Sequence, residues 1–370
     1  MKKAIMSIMS LFMVTTLFAG CTKQETATIS VAGSSKKEIK VGFIYVGPPG
    51  DGGYTYQHDQ GRKYLEEQLK VKTITKENVK EDKSEVRKVI DGMVDEGANV
   101  IFSTSFGFMD GTEEAAKAYP NVKFLHASGY KSNTTNFVNY FGRIEEPRYL
   151  AGMVAGLKTK TNKIGFVSAF EIPECVRGIN AFTLGVQAVN PNAKVIVKWA
   201  HTWYDPAIEK QAALALLDQG ADVLTQHLDS PAVQQAAEEK GAFSVGYNSN
   251  MEDKAPKAYM TSAVWNWGPY YVDQVKKIQD GTWKAENYWG HMKDGVVDIA
   301  PLTANAPAGA KEKVEKAKAD ILSGKLNVFA GPIKDQAGKE RVASGKALTD
   351  EEQLSMDWFV DGVQGSPKAN

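Results

Sequence analysis

The residues that invite chemistry in this 370-residue chain stand in short polar and aromatic segments, each directly after an apolar run. The first is GPPGDGGYTYQHDQG (47–61), which separates KVGFIYV (40–46) from a helix-like stretch. Glycine-rich strand-to-helix turns often cradle phosphate, but a dinucleotide fingerprint needs G-x-G-x-x-G and a P-loop a closing G-K-[ST]. Here the glycines stand at 47, 50, 52 and 53, no Gly-Lys pair closes the turn, and Asp51 would repel a phosphate. A carboxylate at a helix start has two other uses. It can cap free backbone N–H groups, or it can accept hydrogen bonds from a ligand's N–H or O–H groups. Both stay open for Asp51. His58, on the side of Gly61 and Leu65, reads as a packed, hydrogen-bonded histidine.

A second polar set is Gln226-His227-Leu228-Asp229-Ser230 before Pro231, where Asp229 or Ser230 could cap a helix or face a ligand. Asn248 and Asn250 follow the next apolar run. Amides and carboxylates can read the donor and acceptor edge of a heterocycle by paired hydrogen bonds. Aromatics share these positions: Tyr45, Tyr54, Phe106, Trp199, Trp203, Tyr204, Tyr247, Trp265 and Trp267. Any single one can be core, but together they suit a cleft that sandwiches a flat or apolar ligand. Planar heterocycles and sugar rings both fit.

Signs of catalysis are missing. The five histidines show no metal-ligand spacing, and no G-x-S-x-G occurs. The carboxylate pairs Glu145/Glu146 and Glu171/Glu174 have no matching acid or nucleophile and read as hinge or cleft hydrogen-bonding groups. No enzyme activity and no cofactor are expected.

These segments must be held by regular elements. Strand-like runs at 40–46, 99–103 and 122–127 alternate with helical stretches at 54–69, 84–96 and 111–119. Val86, Val89, Ile90, Met93 and Val94 fall on one helical face. The alternation restarts with strands at 163–168, 194–199, 222–226 and 243–247 and helices at 176–190, 206–219 and 231–240. Repeated βαβ units imply parallel sheets covered by helices, and two successive sets imply two lobes. Crossovers are expected at 141–156 and near 263–268, followed by helices at 270–280 and 310–323. In open parallel sheets ligands bind beyond the carboxyl ends of the strands, where the polar and aromatic segments lie.

The front end has a secretory layout. Lys2 and Lys3 precede an apolar stretch that ends in small residues before Cys21. Phe18-Ala19-Gly20-Cys21 resembles a bacterial lipobox, with Phe18 where Leu is usual. Residues 1–20 are therefore expected as a lipoprotein signal, Cys21 as the lipidated residue and 21–38 as a flexible tether. Such a chain is anchored to the outer face of a membrane by lipid alone. The formal net charge of zero gives no reason for a nucleic-acid partner.

Several ordered blocks together resemble the basic membrane protein family of bacterial ABC-transporter solute-binding lipoproteins. They are KVGFIYVGPPGDGGYTYQHDQGRK, SFGFMD, RIEEPRYLAGMVAG, IPECVRGINAFTLGVQAVNP, HTWYDPAIE, QHLDSPAVQQAAEEKG, GYNSNM and VWNWGPYY. The resemblance implies an α/β architecture of the type I periplasmic-binding-protein fold, with two doubly wound lobes, three crossovers and a ligand cleft. The expected division is 39–148 plus about 268–325 for the N-terminal lobe, and 149–265 plus about 326–365 for the C-terminal lobe. It also implies a monomer that serves a transporter permease and binds a purine nucleobase or nucleoside. The branch with GDxGxTYxHDQG and QHxDSPA resembles members that hold a free purine base. The ligand-binding residues it implies are Tyr45, Asp51, Tyr54, Phe106, Asp110, Trp203, His227, Asp229 and Asn248, to which the strand-end position adds Tyr247. Two departures stand out: Tyr54 where Trp is common, and Asn248 and Asn250 where acids are common. A sugar or another small metabolite is the alternative ligand. A secreted nucleoside-processing enzyme or a sensory surface protein are the alternatives of another class.

Overall fold

A computed structural model describes residues 38–368. The expected signal, Cys21 and the tether up to Lys37 lie outside the described residues.

The chain first alternates strand and helix: β1 (Lys40–Ile44), α1 (Tyr54–Leu69), β2 (Lys72–Lys76), α2 (Lys83–Asp95), β3 (Val100–Ser103), α3 (Met109–Ala118), β4 (Lys123–Ala127) and β5 (Phe137–Gly142). It then crosses to a second set: α4 (Glu145–Lys158), β6 (Lys163–Ser168), α5 (Pro173–Val189), β7 (Lys194–Trp199), α6 (Pro206–Asp218), β8 (Val223–His227), α7 (Ala232–Glu239), β9 (Phe243–Asn248) and β10 (Tyr259–Trp265). The last part is α8 (Gly268–Gln279), β11 (Tyr288–Gly290), β12 (Val297–Ile299), α9 (Ala310–Leu322), β13 (Ile333–Lys334), β14 (Glu340–Val342), α10 (Asp350–Leu354) and β15 (Val363–Gln364).

Two large sheets result. The first has the order β11-β5-β4-β3-β1-β2 and is parallel throughout. The second has the order β12-β10-β9-β8-β6-β7-β15 and is parallel except for β12. Their central strands are buried on both faces, so they read as unbroken apolar runs such as VIFS in β3. The two sheets make a type I periplasmic-binding-protein fold with two lobes.

The chain passes between the sheets three times: after β5, after β10, and between β11 and β12. The first passage is shorter than the 141–156 that the sequence suggests, because α4 already starts at Glu145. The third corrects the expectation that 268–325 stays with the first lobe. There α8 packs on α1 and β11 extends the first sheet, but β12 pairs antiparallel with β10 in the second sheet and α9 packs on α4.

Close backbone contact locks α4 to α5. A Cβ on Gly152 would come within 2.0 Å of Phe182 O, and one on Gly185 within 1.9 Å of Tyr149 O. Only glycine allows this approach. It fixes Arg148 on α4 and Glu174 and Arg177 on α5, all of which are buried.

Candidate functional site

The strand ends of both sheets meet across a narrow slot. The first lobe supplies Val46, Tyr54, Ser105, Phe106 and Ser128, and the second supplies Glu174, Trp203, His227, Asp229 and Tyr247. Its volume is only about 20 Å³, room for about one water, so it is a slit rather than a chamber.

The lobes touch around this slit. Trp203 Nε1 donates to Glu81 Oε2 at 2.9 Å, Ser128 Oγ donates to Glu174 Oε2, and Ser249 Oγ donates to the Gly52 carbonyl. A Cβ on Gly53 would lie 2.1 Å from the Asp229 carbonyl oxygen. The sequence GDGG therefore does serve close approach, but to the facing lobe and not to a phosphate.

Asp51 answers the question left open by its sequence position. Its Oδ1 accepts from Gly53 N at 2.8 Å and Tyr56 N at 2.9 Å, and its Oδ2 from Thr55 N at 2.8 Å. The carboxylate caps α1, whose own N-cap residue, Gly53, has no side chain to do so. Burial pushes its carboxyl up to about 6, against the pull of those three N–H groups.

Asp229 is different. Its Oδ1 accepts from Asn248 Nδ2 at 3.3 Å, while its buried Oδ2 has no hydrogen-bond partner. Burial first, then the charges of Asp51, Glu209 and Glu174, raise its carboxyl well above the ordinary range. Such a group can accept from a ligand N–H, or when protonated offer one donor and one acceptor side by side. Asn248 sits one layer behind the slit. It donates to Asp229 and to the Leu228 carbonyl and accepts from Trp265 Nε1 at 2.9 Å. An acid there could not donate to Asp229 and would repel it, which gives the departure from the family pattern a physical reason.

His227 is held neutral: burial lowers it to about 4. Its Nε2 lies 3.3 Å from Glu174 Oε1 and 3.3 Å from the Tyr247 hydroxyl. Burial alone would raise Glu174, but hydrogen bonds from His227 and Ser128 and the charge of Arg177 outweigh it and keep the carboxyl below its ordinary value. Behind Tyr247, the Arg148 guanidinium stacks 3.5 Å from the ring centroid.

Of the residues picked from the sequence, the slit brings together Tyr54, Phe106, Trp203, His227, Asp229 and Tyr247. It does not include four. Tyr45 is in the core of the first lobe, Asp51 is a cap, and Asn248 is a positioner. Asp110 is at the surface, where it pairs with Lys131 at 2.7 Å. The reason is helical phase: Met109, Gly111 and Thr112 face inward, which turns Asp110 out. Trp199, Trp265 and Trp267 are structural, the last stacked on a buried His58 at 4.9 Å. Sequence reasoning overlooked Val46, Ser105 and Ser128, and read Glu174 only as a hinge or cleft hydrogen-bonding group. Val46, Ser105 and Ser128 all lie within two residues of a strand end, where the signal was available, whereas Glu174 stands in the first turn of α5.

Among the described residues no group of three or more His, Cys, Asp or Glu side chains could hold a metal ion, and no helix is long and apolar enough to cross a membrane. Cys175 is buried, and burial raises its thiol to about 12, far from a reactive thiolate.

Comparison with known proteins agrees with this architecture. The family described as ABC transporter substrate-binding protein, PnrA-like (Bmp), matches residues 38–328. The chain is similar to a purine-binding protein of Brucella abortus, with 46% identity over 90% of this chain and 95% of the relative. It is also similar to a protein of Haloferax volcanii that bears the name of an ABC transporter glucose-binding protein, at 36% identity over 94% of this chain and 86% of that one. In structure it resembles an ABC-transporter solute-binding protein of Aeropyrum pernix, with a TM-score of 0.70, 20% identity, and coverage of 80% of this chain and 94% of the other. The chain belongs to the Bmp family of ABC-transporter substrate-binding proteins, which act outside the cytoplasm with a membrane permease and bind solutes without transforming them.

Proposed function

We propose that the protein captures a purine, as free base or nucleoside, by closing its two lobes on the ring, and presents it to the permease of an ABC importer. The observation that carries this reading is the slit itself. It is thin, it has aromatic walls from both lobes, and it has one buried carboxylate oxygen, Asp229 Oδ2, that lacks a donor. A planar heterocycle with an N–H edge fills such a slit and supplies that donor. The purine-binding relative at 46% identity supports the same ligand class. Cys21, if lipidated, tethers the receptor to the outer face of the membrane.

The glucose-binding name of a second relative favours a sugar instead. A chair-shaped pyranose is thicker than an aromatic ring and suits the closed slit less well. Calorimetric titration with adenine, guanine, hypoxanthine, their nucleosides and glucose tests both. Micromolar or tighter binding of a purine is expected. Binding of none of the purines at millimolar concentration would sink the proposal.

A further inference from the structure

Next to the slit lies a second interlobe cavity of about 360 Å³, many times roomier than the slit. The two share three residues, Phe106, Ser128 and Glu174, and these form the partition between them. Beyond the partition the walls are mixed: Phe141, Tyr288 and Trp289 give apolar surface, and Asn139, Arg177 and Asn287 give polar groups. In the closed protein the partition is completed by one hydrogen bond across the lobes, from Ser128 Oγ to Glu174 Oε2.

Both ends of that bond are held in place. Ser128 has a φ of 65°, a left-handed conformation unusual for a residue with a side chain. It is fixed by its N–H donating to Tyr140 O at 3.1 Å and by Asn139 Nδ2 donating to its carbonyl. Backbone held in such a region by its surroundings is a feature that clusters at ligand clamps. On the other side, Glu174 is in the first turn of α5, where the helix dipole favours its charge, and His227 Nε2 lies 3.3 Å from its second oxygen. A hydroxyl donating to an ionised carboxylate is among the stronger hydrogen bonds a protein makes.

We propose that the Ser128–Glu174 bond is a latch that makes the receptor select free purine bases over nucleosides. This rests on the purine reading of the slit. A free base parts the slit walls by its own thickness but stops short of the partition, so the latch still forms. A nucleoside carries a ribose that must pass the partition to reach the roomier cavity. It occupies the gap between Ser128 and Glu174, so closure proceeds without the latch and leaves a buried carboxylate short of a donor. The latch therefore adds to the affinity for the base and subtracts from that for the nucleoside, which is specificity by exclusion.

The experiment is calorimetry on the full chain with two pairs, adenine against adenosine and hypoxanthine against inosine, in wild type, Ser128→Gly and Glu174→Gln. Glycine tolerates the left-handed backbone, so Ser128→Gly removes the hydroxyl without new strain. A melting curve confirms that each variant folds, and Ser128→Gly suffices if Glu174→Gln does not. Wild type is expected to prefer the base in each pair. Ser128→Gly should reduce that preference about tenfold, the equivalent of one modest hydrogen bond, with Glu174→Gln acting in the same direction. A wild type that prefers nucleosides, or a preference that neither variant changes, overturns the latch while purine binding stands. Binding of neither bases nor nucleosides removes the purine reading and the latch with it.

Discussion

The two faces of the slit are built on opposite plans. On the first-lobe face the slit-lining serines are already satisfied: Ser105 Oγ donates to Glu81 and Ser128 Oγ to Glu174. Behind them Asp51 accepts three backbone N–H groups and His126 Nε2 is bonded to the Ser105 carbonyl at 2.8 Å, while the unpartnered His126 Nδ1 and His58 Nε2 belong to residues that do not line the slit. On the second-lobe face buried polar atoms lack partners: Asp229 Oδ2, His227 Nδ1, Gln226 Oε1, and Nε and Nη2 of Arg148. Leaving buried polar groups unpaired is expensive, about 1–3 kcal/mol each, so a protein keeps them where something else completes them. The first lobe is thus the more finished wall, with aromatic cover, and on the proposed purine reading the second is the face that reads the ligand.

The largest effect should come from the reader. Asp229→Ala is expected to weaken purine binding by about 2–5 kcal/mol, the usual cost of truncating one partner of a buried, hydrogen-bonded charge. The same change should leave the ligand-free melting temperature unchanged or raise it, because it removes a carboxylate that burial disfavours. Titration and melting on the same samples check both halves. Full affinity in the variant would break the comparison between the faces. Next is Trp203, which lines the slit and also bonds Glu81 across the lobes. Trp203→Ala should lose roughly 1–3 kcal/mol of binding. Trp203→Phe keeps a ring but loses the N–H, so the gap between the two variants measures stacking apart from closure.

The two lobes and the strand-end location of the site were legible because each strand–helix unit carries its own local periodicity. Legibility failed where local pattern gives way to long-range contact. The crossover expected near 263–268 falls where the chain leaves β10, but β10 itself gives no strand signal, because YMTSAVW mixes small polar residues with apolar ones. Those residues are buried, and Thr261 is satisfied only by the distant Ala300 carbonyl. β2 is an edge strand of KTITK whose residues are only partly buried, which blurs the apolar signal. In the site, Asp110 was misplaced by one step of helical phase and Asn248 by one layer of depth. Neither shift leaves a trace in residue type. Ser128 could have been noticed, since it follows β4 directly, but its left-handed backbone could not.

Both lobes should carry a pH response, through Asp51 and His126 in the first and Glu209 and His227 in the second. Glu209 is fully buried beneath the reading face and accepts from Ser230 Oγ at 2.6 Å. Burial raises its carboxyl to about 7 from an ordinary value of 4.5. A folded-state value above the unfolded one means that the folded protein binds the extra proton. Its stability contribution is therefore full below pH 4.5 and is lost as pH rises to about 7. His126 and His227, held at about 4, act the other way: they contribute fully above pH 6.5 and lose this as pH falls toward 4. Glu209→Gln separates the two. Its stability gain over wild type should grow from pH 4.5, level off above about 7, and reach on the order of 1–3 kcal/mol in denaturant titrations. A gain that is flat with pH would show that Glu209 titrates normally.

The smallest effect on binding belongs to the finished wall. Asp51→Ala removes the cap of α1 and should cost about 1–2 kcal/mol of stability, as lost caps do. Its effect on purine affinity should be below about 0.5 kcal/mol, provided that titration is done well below the melting temperature, because both of its oxygens are already engaged by backbone. Asp51→Asn sharpens the test. An amide oxygen can still accept from the α1 N-terminus, so most of the lost stability should return. Removing the charge also relieves the repulsion it exerts on Asp229. Affinity in Asp51→Asn should thus equal or slightly exceed that of wild type. A large loss in both variants would mean that Asp51 leaves its cap to meet the ligand, and that the first lobe reads as well as encloses.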